Sequence, residues 1–282
     1  MRSRSQQGWA FSGPALLFTA IFFVGPMALV LATSLWTRIG GAIDRTPTLA
    51  NYERILTDPV FRGALQNSLE VVLLTIVVSL LLAYPFAYLV AYRVPARWQG
   101  PLLLLAVLPF WTSYVVRSYS WLLVLARNGV VNRTLLETGL IASPITLANT
   151  RTATVVAFVH FFTMVLALTI YASLRQIPDS LRKAARDLGA SNVRTFMSIT
   201  LPLSLPGVVV GAFLTFVLAI GDFITPQIVG GGNELLLPQA IMLQVDRRGD
   251  FPLAAAMSVV LLAIVALVYL ASARKLTLAS RS

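Results

Sequence analysis

The sequence predicts an all-α polytopic membrane protein with six transmembrane helices, and three observations carry that reading. Of 282 residues, 57% are hydrophobic and only 12% charged, about half the charged share of an ordinary soluble domain. Six stretches without a charge, each of 19 residues or more, meet the roughly 20 apolar residues a helix needs to cross a hydrocarbon core. Lysine and arginine exceed aspartate and glutamate by 11, and the excess falls on alternate connections, as the positive-inside rule describes. Disorder does not fit so apolar a chain, and Gly 17 with Pro 15 is too little for a fibrous or low-complexity one. Cysteine is absent and histidine occurs once, which excludes disulfides, thiolate metal sites and every motif built on two histidines.

In order, the uncharged runs are residues 5–37, 71–92, 98–116, 152–174, 195–221 and 251–273. Arg2 and Arg4 precede the first, but its apolar length far exceeds the about 7–15 residues of a signal-peptide core, so it is expected to stay as an anchor. Pro14, Pro26, Pro85, Pro109, Pro202 and Pro206 lie in or at the ends of spans, where each removes a helical hydrogen bond and invites a kink. With the amino terminus inside, six spans put both termini and two connections in the cytoplasm. Those segments carry twelve basic residues against Asp179 and Asp187, a net +10, whereas the external segments carry nine against seven acids, a net +2. Topology thus absorbs the basic excess, and no nucleic acid is needed to explain it.

The connection between the fourth and fifth runs is long. Residues 175–202 read RQIPDSLRKAARDLGASNVRTFMSITLP. Pro178, Asp179 and Ser180 are helix-start residues, Leu181, Ala184, Ala185 and Leu188 recur at helical spacing, and Gly189 is a stop. Ser191 is placed to cap a second short helix running toward Pro202. Two readings fit this segment. In one, the helix lies on anionic lipid with Arg182, Lys183 and Arg186 toward the headgroups. In the other it docks on a partner: small Ala184 and Ala185 admit a close surface, and Leu181 and Leu188 fill its groove.

The spacing of Lys183, Ala184, Ala185, Gly189, Ile199, Leu201 and Pro202 resembles the EAA loop of ABC importer permeases, with Lys183 where that family has its leading Glu. The stretches Leu108–Asn132, Gly221–Gly231 and Gly249–Ala256 resemble the spermidine/putrescine permeases, particularly the first of their two permease subunits. The resemblance covers roughly residues 65–272, leaving 1–64 for the amino-terminal tail, first helix and first outer loop, and 273–282 for a cytoplasmic tail. It implies the MetI-like permease fold in a bacterial inner membrane, with both termini cytoplasmic. It also implies that residues 178–202, through Leu181, Lys183, Ala184, Ala185, Asp187, Leu188, Gly189, Ile199 and Pro202, couple a cytoplasmic ATPase to the membrane path. The implied partners are two ATPase subunits that bind ATP and Mg, a second permease subunit and a periplasmic or extracellular solute-binding protein. The implied solute is a small cation such as putrescine or spermidine, or another small organic solute, and the chain itself carries no cofactor.

Ionisable groups at or inside spans point to function by default, because burying them unpaired costs several kcal/mol. Glu70, Arg117 and Asp222 are expected to converge on the external half. Arg117 paired with Asp222 or Glu70 would hold the outer mouth shut; alternatively, Asp222 or Glu70 receives a protonated amine, with Arg117 as a gate. Trp111 and Tyr114, three apart, are expected on one helix face, deep enough to hold an amine over aromatic rings, while Tyr119 and Trp121 fit an interfacial belt. His160 fits hydrogen-bonded packing better than a metal site. The mixed charges of an outer loop over Arg38–Asn67 suit either contact with a binding protein or plain solvation.

No Gly-Lys dipeptide occurs, so no Walker A motif exists here and the chain is not expected to be an enzyme or its own ATPase. Competing readings are a membrane enzyme using Asp222, Glu70 and His160, and a secondary transporter acting alone.

Overall fold

The computed structural model describes residues 13–231 and 235–279; Arg2, Arg4, Gly232, Glu234 and Arg281 lie outside these. In chain order the elements are α1 (Gly13–Ser34), β1 (Thr37–Ile39) and β2 (Ala42–Asp44), α2 (Ala50–Thr57) and α3 (Pro59–Tyr92). Next come α4 (Ala96–Val107), α5 (Tyr114–Leu125), α6 (Val130–Glu137) and α7 (Arg151–Arg175). Then follow α8 (Asp179–Asp187), α9 (Asn192–Ile220), α10 (Ile224–Val229), α11 (Leu237–Leu243) and α12 (Phe251–Ala279). The chain divides into two compact units, Met1–Gly63 with Ala240–Ile264, and Ala64–Gln239 with Val265–Ser282.

Among the described residues, five helices, α1, α3, α7, α9 and α12, are long and apolar enough to cross a membrane. The expected third span is different. Residues 98–116 are not one helix: α4 runs into a 3-10 turn at Leu108–Trp111, the chain is extended at Thr112, and α5 leaves at 92°. Pro109 and the extended residues supply the break, and the carbonyl it leaves at Pro109 must find a partner, because lipid offers none. It accepts from Thr112 Oγ1 at 2.7 Å and from the Arg117 guanidinium at 2.8 Å.

The larger unit is built on α3, α7 and α9. Ala83, Ala87 and Ala91 form a small-residue stripe on α3 that packs on Leu166, Ala167, Ile170 and Leu174 of α7. Gly207 and Gly211, four apart on α9, bring that helix onto α7; a methyl at Gly211 would lie 2.2 Å from Thr169 Oγ1 and 3.0 Å from Leu166. This is the close backbone approach that small residues at i, i+4 permit in lipid, where dispersion rather than water drives packing. The helices α3 and α7 run the same way. At one end Tyr92 of α3 donates its hydroxyl to the Leu174 carbonyl at 3.0 Å, and at the other Arg151 of α7 pairs with Glu70 of α3. The chain between Tyr92 and Arg151 therefore changes ends, so the bent α4–α5 pair makes the crossing that the 98–116 run was expected to make alone.

The prolines at 26 and 202 do not kink their helices sharply. Gly25 N–H reaches back five residues to Ala20 O, and Leu201 N–H to Phe196 O, so each proline follows a π-turn. Widening the turn by one residue moves the carbonyl that the ring would strike. Accordingly the short helix expected from Ser191 to Pro202 is no separate element. Ser191 Oγ does accept from Arg194 N–H at 3.3 Å, but the helix it caps runs on as α9.

In the smaller unit, β1 and β2 form a ribbon with Thr37 opposite Asp44, turned by Gly40 and Gly41 at φ +59° and +90°, the left-handed pair a tight hairpin needs. The all-α expectation missed this ribbon. The Thr46 backbone N–H donates to Asp44 and holds its carboxyl below the usual carboxylate range. Asn51 donates to the Ser34 and Trp36 carbonyls, and Arg54 pairs with Asp250 at 3.7 Å. The first outer loop thus ends at Asp58 rather than Asn67, because α3 already begins at Pro59.

Candidate functional site

At one end of the larger unit the expected coupling segment stands clear of the fold. Leu181, Lys183, Ala184, Asp187 and Gly189 are exposed, and Leu188 is 89% exposed. The helix ends as its sequence requires: Gly189 takes φ +82° and Ala190 N–H returns to Ala185 O at 3.0 Å, the left-handed closure that favours glycine. Its apolar stripe is therefore built but not covered by this chain. Ile199 and Pro202 do not share that surface; they lie in and just after the π-turn of α9, Ile199 half-buried and Pro202 exposed. The three basic residues of α8 also part company. Lys183 and Arg186 are exposed, whereas the Arg182 side chain is 16% exposed and lies 3.7 Å over the Tyr92 ring.

The membrane-embedded site is two clusters, not one. Phe161, ten residues into α7 from Arg151, sits about 15 Å along that helix. At its level Arg117 lies 4.3 Å from the Phe161 ring centroid and 5.0 Å from that of Tyr114. Tyr114 donates its hydroxyl to Asp222 Oδ2 and accepts from Thr225 Oγ1 at 2.9 Å. The other oxygen of Asp222 accepts from Ile224 N–H at 2.8 Å and Thr225 N–H at 3.2 Å, so Asp222 caps α10. The expected ion pair of Arg117 with Asp222 or Glu70 does not form among the described residues. Tyr114 stands between the charges instead, its face toward the guanidinium and its hydroxyl toward the carboxylate, and each contact polarises the ring in favour of the other.

Glu70 belongs to the second cluster, at the first turn of α7, where Arg151 binds both it and Asn67, and Asn67 donates to Leu235 O at 3.4 Å. The expected convergence of Glu70 with Arg117 and Asp222 thus fails. Trp111 fails too: it is 75% exposed, and the extended residues after it place it on another element from Tyr114. Tyr119 is exposed, as a belt residue would be, but Trp121 points inward and donates Nε1–H to His160 Nδ1 at 3.2 Å. An open pocket of about 520 Å³ forms at the 92° bend between Leu105, Pro109, Val116, Trp121 and His160, with Arg117 on its wall.

Sequence reasoning missed Phe161, Thr225 and Arg151. Thr225 had a signal, since Asp is a preferred helix-start residue whose carboxylate accepts from the backbone N–H groups two and three residues on. Phe161 had none, because which ring faces Arg117 depends on how α5 lies on α7.

An exposed amphipathic helix between two spans and a polar cluster inside the bundle suit a component of a membrane transport system. The chain belongs to the family of binding-protein-dependent transport system inner membrane components, whose sequence profile matches residues 83–277. It is a permease subunit of an ABC importer. Among curated relatives, the spermidine/putrescine transport system permease protein PotB of Escherichia coli (strain K12) is 34% identical over 251 residues, covering 89% of this chain and 90% of that one. Among solved structures, a bacterial ABC transporter involved in the import of the acidic polysaccharide alginate aligns at TM-score 0.74 and 18% identity over 96% of each chain. The inward-facing MetNI methionine ABC transporter aligns at TM-score 0.58 and 18% identity over 78% of this chain and 95% of its own. The MetI-like fold is thereby shown.

Proposed function

We propose that this permease moves a small polyamine, putrescine or spermidine, inward across the bacterial inner membrane. It works beside a second permease subunit, two ATPase subunits that bind ATP and Mg, and a periplasmic or extracellular solute-binding protein. The observation that carries the solute is the 34% identity with the spermidine/putrescine permease across nearly the whole of both chains. In the described conformation neither carboxylate is free for an amine: Glu70 is held by Arg151, and Asp222 by Tyr114 and two backbone N–H groups. Asp222 receives the amine only when Tyr114 swings away, which makes the Tyr114–Asp222 bond a latch on the path.

The exposed stripe of α8 is the ATPase-docking surface, with Lys183 meeting an acidic residue of the ATPase. Replacing Gly189 by Leu, or Ala184 by Asp, is expected to abolish uptake while the subunit stays in the membrane; normal uptake with either overturns the coupling reading. One observation favours a different solute. The Arg117 guanidinium on the pocket wall repels a cation and suits a neutral or anionic solute. Calorimetry on the partner solute-binding protein separates the two: tight binding of putrescine or spermidine supports the polyamine reading, and their failure beside tight binding of another solute overturns it.

A further inference from the structure

We infer that Arg182 is a positioning residue that locks the coupling helix α8 to the membrane bundle through a tyrosine ladder on α3. This rests on the coupling reading of α8 proposed above. Tyr84, Tyr88 and Tyr92 are spaced four apart and so share one face of α3. Arg182 lies over the last of them, its guanidinium carbon 3.7 Å from the ring centroid, and holds Asp179 of its own helix at 3.4 Å. Tyr92 in turn donates to the Leu174 carbonyl at the end of α7 and meets Tyr88 edge to face at 5.1 Å.

The ladder also reaches α9. Phe196, first residue of its π-turn, is packed edge to face by Tyr88 at 5.6 Å and by Tyr84 at 5.7 Å, and the Tyr84 hydroxyl bonds Ser204 Oγ at 2.8 Å. One basic residue of α8 thus touches a column of rings that contacts α7 at Leu174 and α9 at Phe196 and Ser204. A π-turn is a place where a helix changes register at low cost, and here the rings grip that turn. Displacement of α8 is carried into α3 and α9 by these contacts in addition to the short connection through Gly189. Lys183 and Arg186, both exposed, do not share the role.

The test uses the complete transporter with its partner subunits in lipid discs and vesicles, reading ATP hydrolysis and solute uptake together. Arg182→Ala and Tyr92→Leu are each expected to lower uptake per ATP hydrolysed by about fivefold or more, consistent with loss of a desolvated cation–π contact. Tyr92→Phe keeps the ring face and is expected to stay near the parent ratio, and Arg182→Lys to fall between. The double variant Arg182→Ala with Tyr92→Leu is expected to be no worse than either single one. An unchanged ratio in Arg182→Ala, or additive losses in the double variant, overturns the inference. If Arg182→Ala does not assemble, the comparison of Tyr92→Leu with Tyr92→Phe decides: equal losses overturn it. Gly189→Leu is run alongside. Loss of uptake there with a normal Arg182→Ala rejects the Arg182 role alone, whereas normal uptake in Gly189→Leu rejects the coupling reading beneath it.

Discussion

At the scale of single residues, Arg117 shows how one side chain closes two deficits. It is 8% exposed and has no acidic partner among the described residues, a position that costs several kcal/mol unless its donors are used. Its guanidinium is used twice, on the Pro109 carbonyl at the C-terminal end of a broken helix and on the faces of Tyr114 and Phe161. A cation belongs at such an end, where unsatisfied carbonyls carry partial negative charge. Arg117→Gln is expected to destabilise the purified subunit by about 1.5–3 kcal/mol, the range for a charge-assisted hydrogen bond, seen as a lower unfolding temperature in detergent. Arg117→Lys keeps the charge but loses the flat fork, so it recovers part of that loss. The sequence placed Arg117 among the groups that matter, because a charge between apolar runs is visible in one dimension. Its partners were not visible, since a carbonyl and a ring face carry no sequence signature of their role. The same holds for Asp222: an acid at the end of an apolar run was legible, while its bonds to the start of α10 and to Tyr114 were not.

At the scale of elements, the spans that were read correctly are those whose apolar run and helical hydrogen bonding coincide. The runs 152–174 and 251–273 match the starts of α7 and α12 to within a residue. The run 98–116 satisfies the same hydropathy criterion, yet it contains a proline followed by two extended residues, and hydropathy is blind to backbone direction. Helix packing has a clearer signature. The pair Gly207 and Gly211 marks the face of α9 that meets α7, with Thr169 and Leu166 directly against it. Gly211→Val places three carbons in space already filled, and about 1–3 kcal/mol of destabilisation follows from such overpacking. The expected readout is poor recovery of folded subunit and weakened assembly, while Gly100→Val, at a glycine with nothing within 4 Å, leaves both near the parent. Equal behaviour of the two variants would mean that α7 and α9 do not need their close approach.

At the scale of the whole molecule, the broken span decides topology. Counted by continuous helices, the described residues hold five that can cross, an odd number, which would leave the two ends on opposite sides. The contacts of Tyr92 with Leu174 and of Glu70 with Arg151 show that α3 and α7 run in parallel, so the segment between them must cross once more. That makes six crossings among the described residues, and an even number is expected to return the chain to the side on which it began. Charge predicts that side: the segments grouped with α8 carry a net +10 and the opposite set a net +2, and by the positive-inside rule the basic set is expected in the cytoplasm. Reporters that are active only in the cytoplasm are expected to be active when fused after residue 282 or within 189–191, and inactive within 139–143. If the bent pair were instead a re-entrant hairpin, fusions within 93–95 and within 189–191 would disagree, because only α7 would then cross between them. Activity within 139–143 with none within 93–95, within 189–191 or after 282 would show that charge does not set the orientation of this subunit.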